Sequence, residues 1–318
     1  MTSPRVSVCV VTYNHERYIH DCLMTVVAQV HDVSLEILIG DDQSTDRTEE
    51  IVRMLAARFP ETVRYFRHET RLGPAGNYQF LIGQARGEYI AHLDGDDYWL
   101  PGKLNAQVGL LDTAPECVAV YANAICVNDA GVLLGLFNNP VPDRFNLNSL
   151  LRRGNFLNHS SLVYRAEFGE IICNWPPEFI DYRIHINLAR HGQLGYLKSP
   201  YVGYRVNSTG SMLSHQGERV RELYWSAVYE VLDLTNEQDI KMAVLADFLS
   251  GVFFRVRETG NLKLFVKWWR VVVQEYKCNK IELAVRIAMV SIRRRSMSLL
   301  TKYSGAIAGL PLRIFHRR

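Results

Sequence analysis

Asp94-Gly95-Asp96-Asp97 packs three carboxylates and a glycine into four consecutive positions. Hard divalent cations such as Mg2+ and Mn2+ prefer oxygen ligands, and often take only one or two carboxylates while substrate phosphates complete the shell. Asp94 and Asp96, two apart on a turn, can face one pocket, and Gly95 lets the backbone approach closely. A cation held there would neutralise a diphosphate and template it as a leaving group. The plainer readings are that Asp-Gly is a common turn signal and that Asp after a strand often caps a helix. The stretch also lacks the other ligands of a calcium loop, including its bidentate Glu. A second acidic pair, Asp41-Asp42, precedes a helical pattern that it could cap, and Thr12-Tyr13-Asn14 closes an apolar run.

The elements that must carry these segments make them more specific. Residues 6–12 (VSVCVVT) read as a buried strand, and 17–30 set Ile19, Leu23, Val26, Val27 and Val30 at helical spacing. Strands follow over 35–39, 63–66, 89–93 and 118–127. Between them the pattern predicts helices over 45–59 (N-cap Ser44 or Thr45), 74–86 (Pro74 in the first turn) and about 103–114. Such alternation indicates a parallel sheet covered on both faces, with ligands bound beyond the carboxyl ends of its strands. Thr12-Tyr13-Asn14, Asp41-Asp42 and Asp94-Gly95-Asp96-Asp97 end strands one, two and four, so they converge on one edge. Two acidic clusters there repel unless a cation intervenes. Residues 128–215 are less regular, with turns at Asn138-Asn139-Pro140 and Trp175-Pro176-Pro177 and a short helix near 181–191. After Gln216 the pattern is helical, near 217–234, 237–258, 261–277 and 280–302. There is no internal repeat or low-complexity stretch.

The chain has 318 residues, 48% hydrophobic and 22% charged, ordinary usage that argues against wholesale disorder. The net charge of +3 hides an asymmetry. From Asn261 onward thirteen lysines and arginines face only Glu275 and Glu282, so the preceding part is acidic. The six cysteines are scattered without a C-x-x-C pair, which fits a reducing compartment. The chain enters a strand by Val6, leaving no room for a signal peptide, and no run of about 18 apolar residues could span a bilayer. The expected location is cytoplasmic, either free or peripheral on the inner face of the cell membrane.

In their order, these motifs resemble the nucleotide-binding half of a family-2 glycosyltransferase with the GT-A fold. The matching pieces are VSVCVVTYN at 6–14, EILIGDDQSTDRT at 36–48, RLGPAGN at 71–77 and GEYIAHLDGDDYWLPGKL at 87–104. Weaker matches continue to about 213, through NHSSLVYR at 158–165, FIDYRIHINLARHG at 179–192 and YRVNSTGSM at 204–212. The resemblance implies an α/β, Rossmann-like, mostly parallel sheet flanked by helices. It implies a catalytic domain over 1–215, split into a nucleotide-binding half (1–127) and an acceptor half (128–215), and a helical, basic extension over 216–318. Thr12, Tyr13, Asn14, Asp41, Asp42 and Asn77 then fall at or beside the donor's base and ribose. Asp94 and Asp96 match the D-x-D that meets a metal-bound diphosphate, Asp96 being the stronger candidate ligand. Asp181 falls on the catalytic carboxylate, here in an Ile-Asp pair where the family usually has Glu-Asp or Gly-Asp. Inverting transfer needs such a base within about 2.6–3.2 Å of the acceptor's proton. A plain N-cap of the following helix is the competing role. Arg205 could bind the diphosphate, since a guanidinium matches phosphate oxygens, while Asn207 stands where the family often has His.

The implied reaction moves a sugar from a nucleotide sugar, most simply a UDP-sugar, to a glycan or polyprenyl-linked saccharide, with Mg2+ or Mn2+ as cofactor. His159, His185, His191 and His215 lack metal-ligand spacing and read as surface or core histidines, and a lone Trp99 reads as packing more readily than as a sugar platform. A sugar nucleotidyltransferase would need a Gly-rich basic loop after strand one, and Thr12-Tyr13-Asn14-His15 is none; a dehydrogenase would need G-x-G-x-x-G there. A non-catalytic, membrane-associated scaffold is the rival from another class. In 261–302 Leu262, Phe265, Val266, Trp268, Trp269, Val272 and Val273 stand among basic residues, and Arg293-Arg294-Arg295 and Arg317-Arg318 follow. Residues 261–318 thus suit either an anionic bilayer surface or a helical bundle with a solvated basic face. No motif supports nucleic-acid binding, and nothing fixes the oligomeric state.

Overall fold

The run VSVCVVT forms a strand, β1 (Val6–Thr12), buried at every position, as a strand covered on both faces must be. The computed structural model describes residues 3–31, 33–139, 141–206, 217–235, 237–276, 278–292 and 313–316. After β1 come α1 (Ile19–Val27), β2 (Leu35–Asp41), α2 (Thr48–Arg58), β3 (Val63–Arg67), α3 (Gly73–Gln84), β4 (Tyr89–Asp94), β5 (Tyr98–Trp99), α4 (Lys103–Thr113) and β6 (Cys117–Val127). β1 pairs in parallel with β2 and β4, and β2 with β3. The four therefore run β4-β1-β2-β3 with their carboxyl ends on one edge.

The irregular stretch supplies β7 (Leu133–Asn138), β8 (Arg144–Phe145), α5 (Leu147–Arg153), β9 (Val163–Arg165), α6 (Gly169–Cys173), α7 (Asp181–His191) and β10 (Gln193–Arg205). The fifth expected strand, β6, is not beside β4. β9 lies between them, antiparallel to both, and at three residues it is too short for a period-two signal. β10 pairs in parallel with β6, its register breaking around Pro200, where a ladder N–H is missing.

The helix expected from residue 45 starts instead at Thr48, because Asp46 Oδ1 accepts the Thr48 N–H at 3.0 Å. Ser44, an expected cap, instead accepts the Asn14 N–H at 2.9 Å. The helical region gives α8 (Gly217–Leu232), α9 (Gln238–Thr259), α10 (Leu262–Tyr276) and a helix over 280–292, after which β11 (Arg313–His316) pairs with β7. Gly260, at φ 71°, ends α9 and donates its N–H to Val256 O at 2.7 Å, a left-handed cap that favours glycine. One apolar cluster joins Tyr182 and Ile184 of α7 to Val228, Phe248 and Trp268 of the C-terminal helices. Those helices thus share a core with the sheet region. Asn207, His215, Arg293-Arg294-Arg295 and Arg317-Arg318 lie outside the described residues. No described helix is long and apolar enough to cross a membrane, and all six cysteines are free thiols.

Candidate active site

Because β1, β2 and β4 are parallel neighbours, their ends are level: Thr12 pairs with Asp41 and Val11 with Asp94. Three loops leave this edge together. Asn14 takes a left-handed conformation (φ 56°) and its Oδ1 accepts the Thr45 N–H at 2.8 Å, which ties the first loop to the second. Asp41 is buried, accepting the Ser44 N–H and the Tyr65 hydroxyl, each at 2.7 Å. Asn77 is buried between His68 Nε2 at 2.9 Å and Gly40 O at 2.7 Å. The described contacts of these three residues stitch the loops from within.

Asp42 belongs to a second group. Its oxygens accept the N–H groups of Leu72 (2.6 Å) and Gly73 (3.1 Å) at the start of α3, and Arg71 lies 3.6 Å away. The Arg71 guanidinium stacks 3.6 Å over the Tyr13 ring. Tyr13, Asp42 and Arg71 thus form a flat, polar shelf at the sheet edge. Arg71 opens the segment RLGPAGN, and a lone Arg in a loop carries no sequence signal for such a stack.

The acidic loop is held from three sides. A Cβ on Gly95 would fall 2.8 Å from both His15 Nδ1 and Thr12 Oγ1, so the glycine allows the loop to press against the end of β1. Asp97 is buried and accepts the Arg205 N–H at 2.9 Å and the Ser160 hydroxyl at 2.6 Å. Burial, then the charges of Asp96 and Asp94, push its pKa well above the usual carboxylate range. Asp94 Oδ1 lies 3.1 Å from His92 Nε2, and its Oδ2 3.2 Å from the Ser160 hydroxyl. Burial works to raise the Asp94 pKa, but His92 and the hydrogen bonds from His92 and Ser160 outweigh it and hold the carboxyl low. Asp96, partly exposed, has interactions of its own. Arg205 lies with its guanidinium between Tyr18 (4.9 Å) and Tyr98 (5.3 Å), and its buried Nε has no hydrogen-bond partner among the described residues. Trp99 is buried, its indole N–H given to Ser160 O at 2.9 Å, so it packs.

Asp94 and Asp181 line one cavity of about 460 Å³, whose wall also includes His159, Asn155 and, from α8, Arg221 and Tyr224. Asp181 opens α7, but the N-cap position is Ile180 and makes no side-chain cap. The Asp181 carboxylate accepts the Tyr182 N–H at 2.7 Å and Asn155 Nδ2 at 3.1 Å, both on Oδ1. Burial, with Asp94 adding to it, pushes Asp181 up to about 6 against the lowering effect of those hydrogen bonds. The environments of the two carboxylates therefore drive their proton affinities apart. His92, His159 and His185 gather behind them, His92 and His159 with ring centroids 4.0 Å apart. His92 was legible in principle, since positions i and i+2 of a strand share a face with each other, here His92 and Asp94.

No cage of three or more His, Cys, Asp or Glu side chains occurs among the described residues. The oxygen donors the acidic loop offers are Asp94 and Asp96 around a closely packed glycine, beside an Asp97 that burial first, and then the charges of Asp96 and Asp94, push toward protonation. That set fits Mg2+ or Mn2+, which accept one or two protein carboxylates with phosphate and water.

The glycosyl transferase family 2 profile matches residues 7–168, half of the chain, and the chain belongs to that family. It is 28% identical over 316 residues to Rv1520 of Mycobacterium tuberculosis, covering 95% of this chain and 90% of that protein. It is 26% identical to WfaP of Escherichia coli, a UDP-Glc:alpha-D-GlcNAc-diphosphoundecaprenol beta-1,3-glucosyltransferase, over 59% of this chain and 71% of the relative. Among solved structures it superposes on residues 1–349 of S. aureus TarS in complex with UDP-GlcNAc, with TM-score 0.66, 20% identity and 92% of both chains covered. The mannosyltransferase PcManGT of Pyrobaculum calidifontis, in complex with GDP-Man and Mn2+, gives TM-score 0.54 at 18% identity over 92% of this chain and 88% of that one. The fold is thus GT-A, and the protein is a glycosyltransferase.

Proposed function

We propose that the protein is an inverting, divalent-cation-dependent transferase that moves a sugar from a UDP-sugar to a hydroxyl of a glycan or lipid-linked saccharide. The observation that carries this reading is the single cavity shared by Asp94, held ionised, and Asp181, pushed up to about 6. Asp94 and Asp96 hold the cation, which when bound screens the diphosphate. Arg205 supplies a fixed positive charge to the same group. Tyr13 and Asp42, with Arg71, form the shelf for the nucleoside. The acceptor oxygen bonds to the anomeric carbon as the bond from that carbon to the diphosphate breaks. The electron pair leaves on the diphosphate oxygen, and the hydroxyl proton goes to Asp181. Because both of its recorded hydrogen bonds fall on Oδ1, Oδ2 is the oxygen that takes the proton.

The nucleotide sugars of the structural relatives and the diphosphoundecaprenol-linked acceptor in the name of WfaP support this choice of donor and acceptor class. A lipid-linked acceptor also suits docking on an anionic membrane. On the helix over 280–292, Ile281, Val285, Met289 and Ile292 are exposed while Leu283 and Ile287 are buried. That leaves an outward apolar stripe on the most basic part of the chain. The test of the site is a pair of variants. Asp96→Ala loses cation-dependent donor binding by calorimetry; Asp181→Asn keeps donor binding and loses transfer. Unchanged cation-dependent affinity in the first would remove the proposed ligand, and near-normal turnover in the second would remove the base.

A further inference from the structure

A line of side-chain hydrogen bonds runs from Asp181 back into the core. Asn155 Nδ2 donates to Asp181 Oδ1 at 3.1 Å, Asn155 Oδ1 lies 3.2 Å from His185 Nδ1, and His185 Nε2 lies 3.2 Å from His159 Nδ1. The carboxylate fixes the polarity of the line. An ionised carboxylate only accepts, so Asn155 must turn its NH2 to Asp181 and its oxygen to His185. His185 then carries its proton on Nδ1, and its Nε2 accepts from His159 Nδ1. Each neutral ring has one N–H, and each spends it in this line. Both rings are held neutral, His159 well below the usual range by burial and then by His92 and His185, and His185 at about 3 by burial and then by His92. A protonated His185 would donate from both nitrogens and set its second N–H against that of His159. His185 is fully buried and meets the edge of Tyr121 at 5.0 Å between centroids, so the ring has little room to turn.

We propose that Asn155 and His185 are positioning residues for the base, holding the Asp181 carboxylate in one orientation so that Oδ2 stays directed to the acceptor hydroxyl. The inference rests on the reading of Asp181 as the base. His185 lies four residues after Asp181 on α7 and so on the same helix face, while Asn155 reaches both from the turn after α5. The Tyr182 N–H alone would leave the carboxylate free to rotate about that single bond; the Asn155 amide supplies the second anchor.

The test uses the full chain and the nucleotide sugar that gives the largest thermal shift in a panel of UDP-, dTDP- and GDP-sugars, with its hydrolysis by water as the assay. Asn155→Ala and His185→Leu are compared with His185→Asn, whose amide keeps a donor near the position of Nδ1. The expected result is a fall in kcat of about 10²-fold for Asn155→Ala and His185→Leu, with KM and donor affinity within about two-fold of the parent. His185→Asn should recover about ten-fold of that loss. The proposal is overturned if folded Asn155→Ala keeps kcat within about two-fold, or if His185→Asn is no better than a folded His185→Leu. Should His185→Leu fail to fold, the partly exposed Asn155 carries the test alone. Asp181→Asn separates the two levels. If it stays active, the base reading falls and this inference with it; if it is inactive while Asn155→Ala is not, only the positioning role falls.

Discussion

Asp94 and Asp181 are both carboxylates, and their surroundings shift their proton affinities in opposite directions. His92 and Ser160 keep the first ionised, whereas burial and the nearby charge of Asp94 raise the second to about 6. A base must be ionised to act, so kcat/KM should be level above this value and fall about ten-fold per pH unit below it. A cation beside Asp94 cancels part of the repulsion, which places the limb at or somewhat below pH 6. A profile with no acid limb between about pH 4 and 7 would contradict the assignment. The same shift has a sign for stability. Asp181 is raised above its ordinary 3.8, so folding favours its protonated form, and the stability it contributes at low pH is lost as pH rises through about 6. Asp181→Asn should therefore raise Tm at pH 8 more than at pH 4. Residue type and spacing at the strand ends made Asp94 and Asp96 candidates in the sequence, and Asp181 became one through the family resemblance. The partners of Asn14, Asp41 and Asn77 were not, because a polar side chain at a strand end reads the same whether it meets a ligand or a neighbouring loop. Asn155 and His185 left no signal, being thirty residues apart and joined only by the fold.

The alternation of short apolar runs with helical patterns was enough to give β1 to β4; β1, β2 and β4 are buried on both faces and so are nearly continuous apolar runs, while β3, VRYFR, is only partly buried. What it missed were elements whose residues serve tertiary contacts more than local periodicity: the three-residue β9, and β10, broken at Pro200. The start of α2 was displaced for a similar reason, Asp46 accepting the Thr48 N–H while Ser44 bound the neighbouring loop. The junction of β1, β2 and α3 shows how such contacts carry stability. Glu36 is buried and accepts from Ser7 Oγ (2.7 Å), Arg86 N (2.9 Å) and Arg86 Nη2 (2.6 Å), with Arg64 at 3.3 Å. Burial pushes its pKa up, but the hydrogen bonds from Arg86 and Ser7 outweigh it and hold the group below 4.5. Its stabilisation is thus present above that value and lost as pH falls through the lowered one. Glu36→Ala should cost about 3 kcal/mol in urea denaturation at pH 7, and the loss should shrink toward pH 3. A cost under about 1 kcal/mol would mean that the arginines find other partners.

Across the whole molecule, the C-terminal helices close one wall of the cavity at the sheet edge, since Arg221 and Tyr224 of α8 line it, and the excess of basic charge begins only beyond them, at Asn261. The sequence separated these regions by charge and periodicity, but not the shared core, because apolar residues at helical spacing do not say which surface they cover. If the stripe of Ile281, Val285, Met289 and Ile292 docks on a membrane, the protein should sediment with phosphatidylglycerol vesicles and not with phosphatidylcholine ones. Val285→Glu with Met289→Glu should release it without changing donor hydrolysis in solution; unaltered sedimentation would assign the stripe elsewhere. The central claim is cation-dependent transfer from a nucleotide sugar. It is tested most directly by nucleoside diphosphate release from a panel of UDP-, dTDP- and GDP-sugars, with and without EDTA. We predict release from a UDP-sugar that EDTA abolishes and Mn2+ or Mg2+ restores. Release from none of the panel, even with acceptor extracts present, or release that EDTA leaves unchanged, would contradict the account.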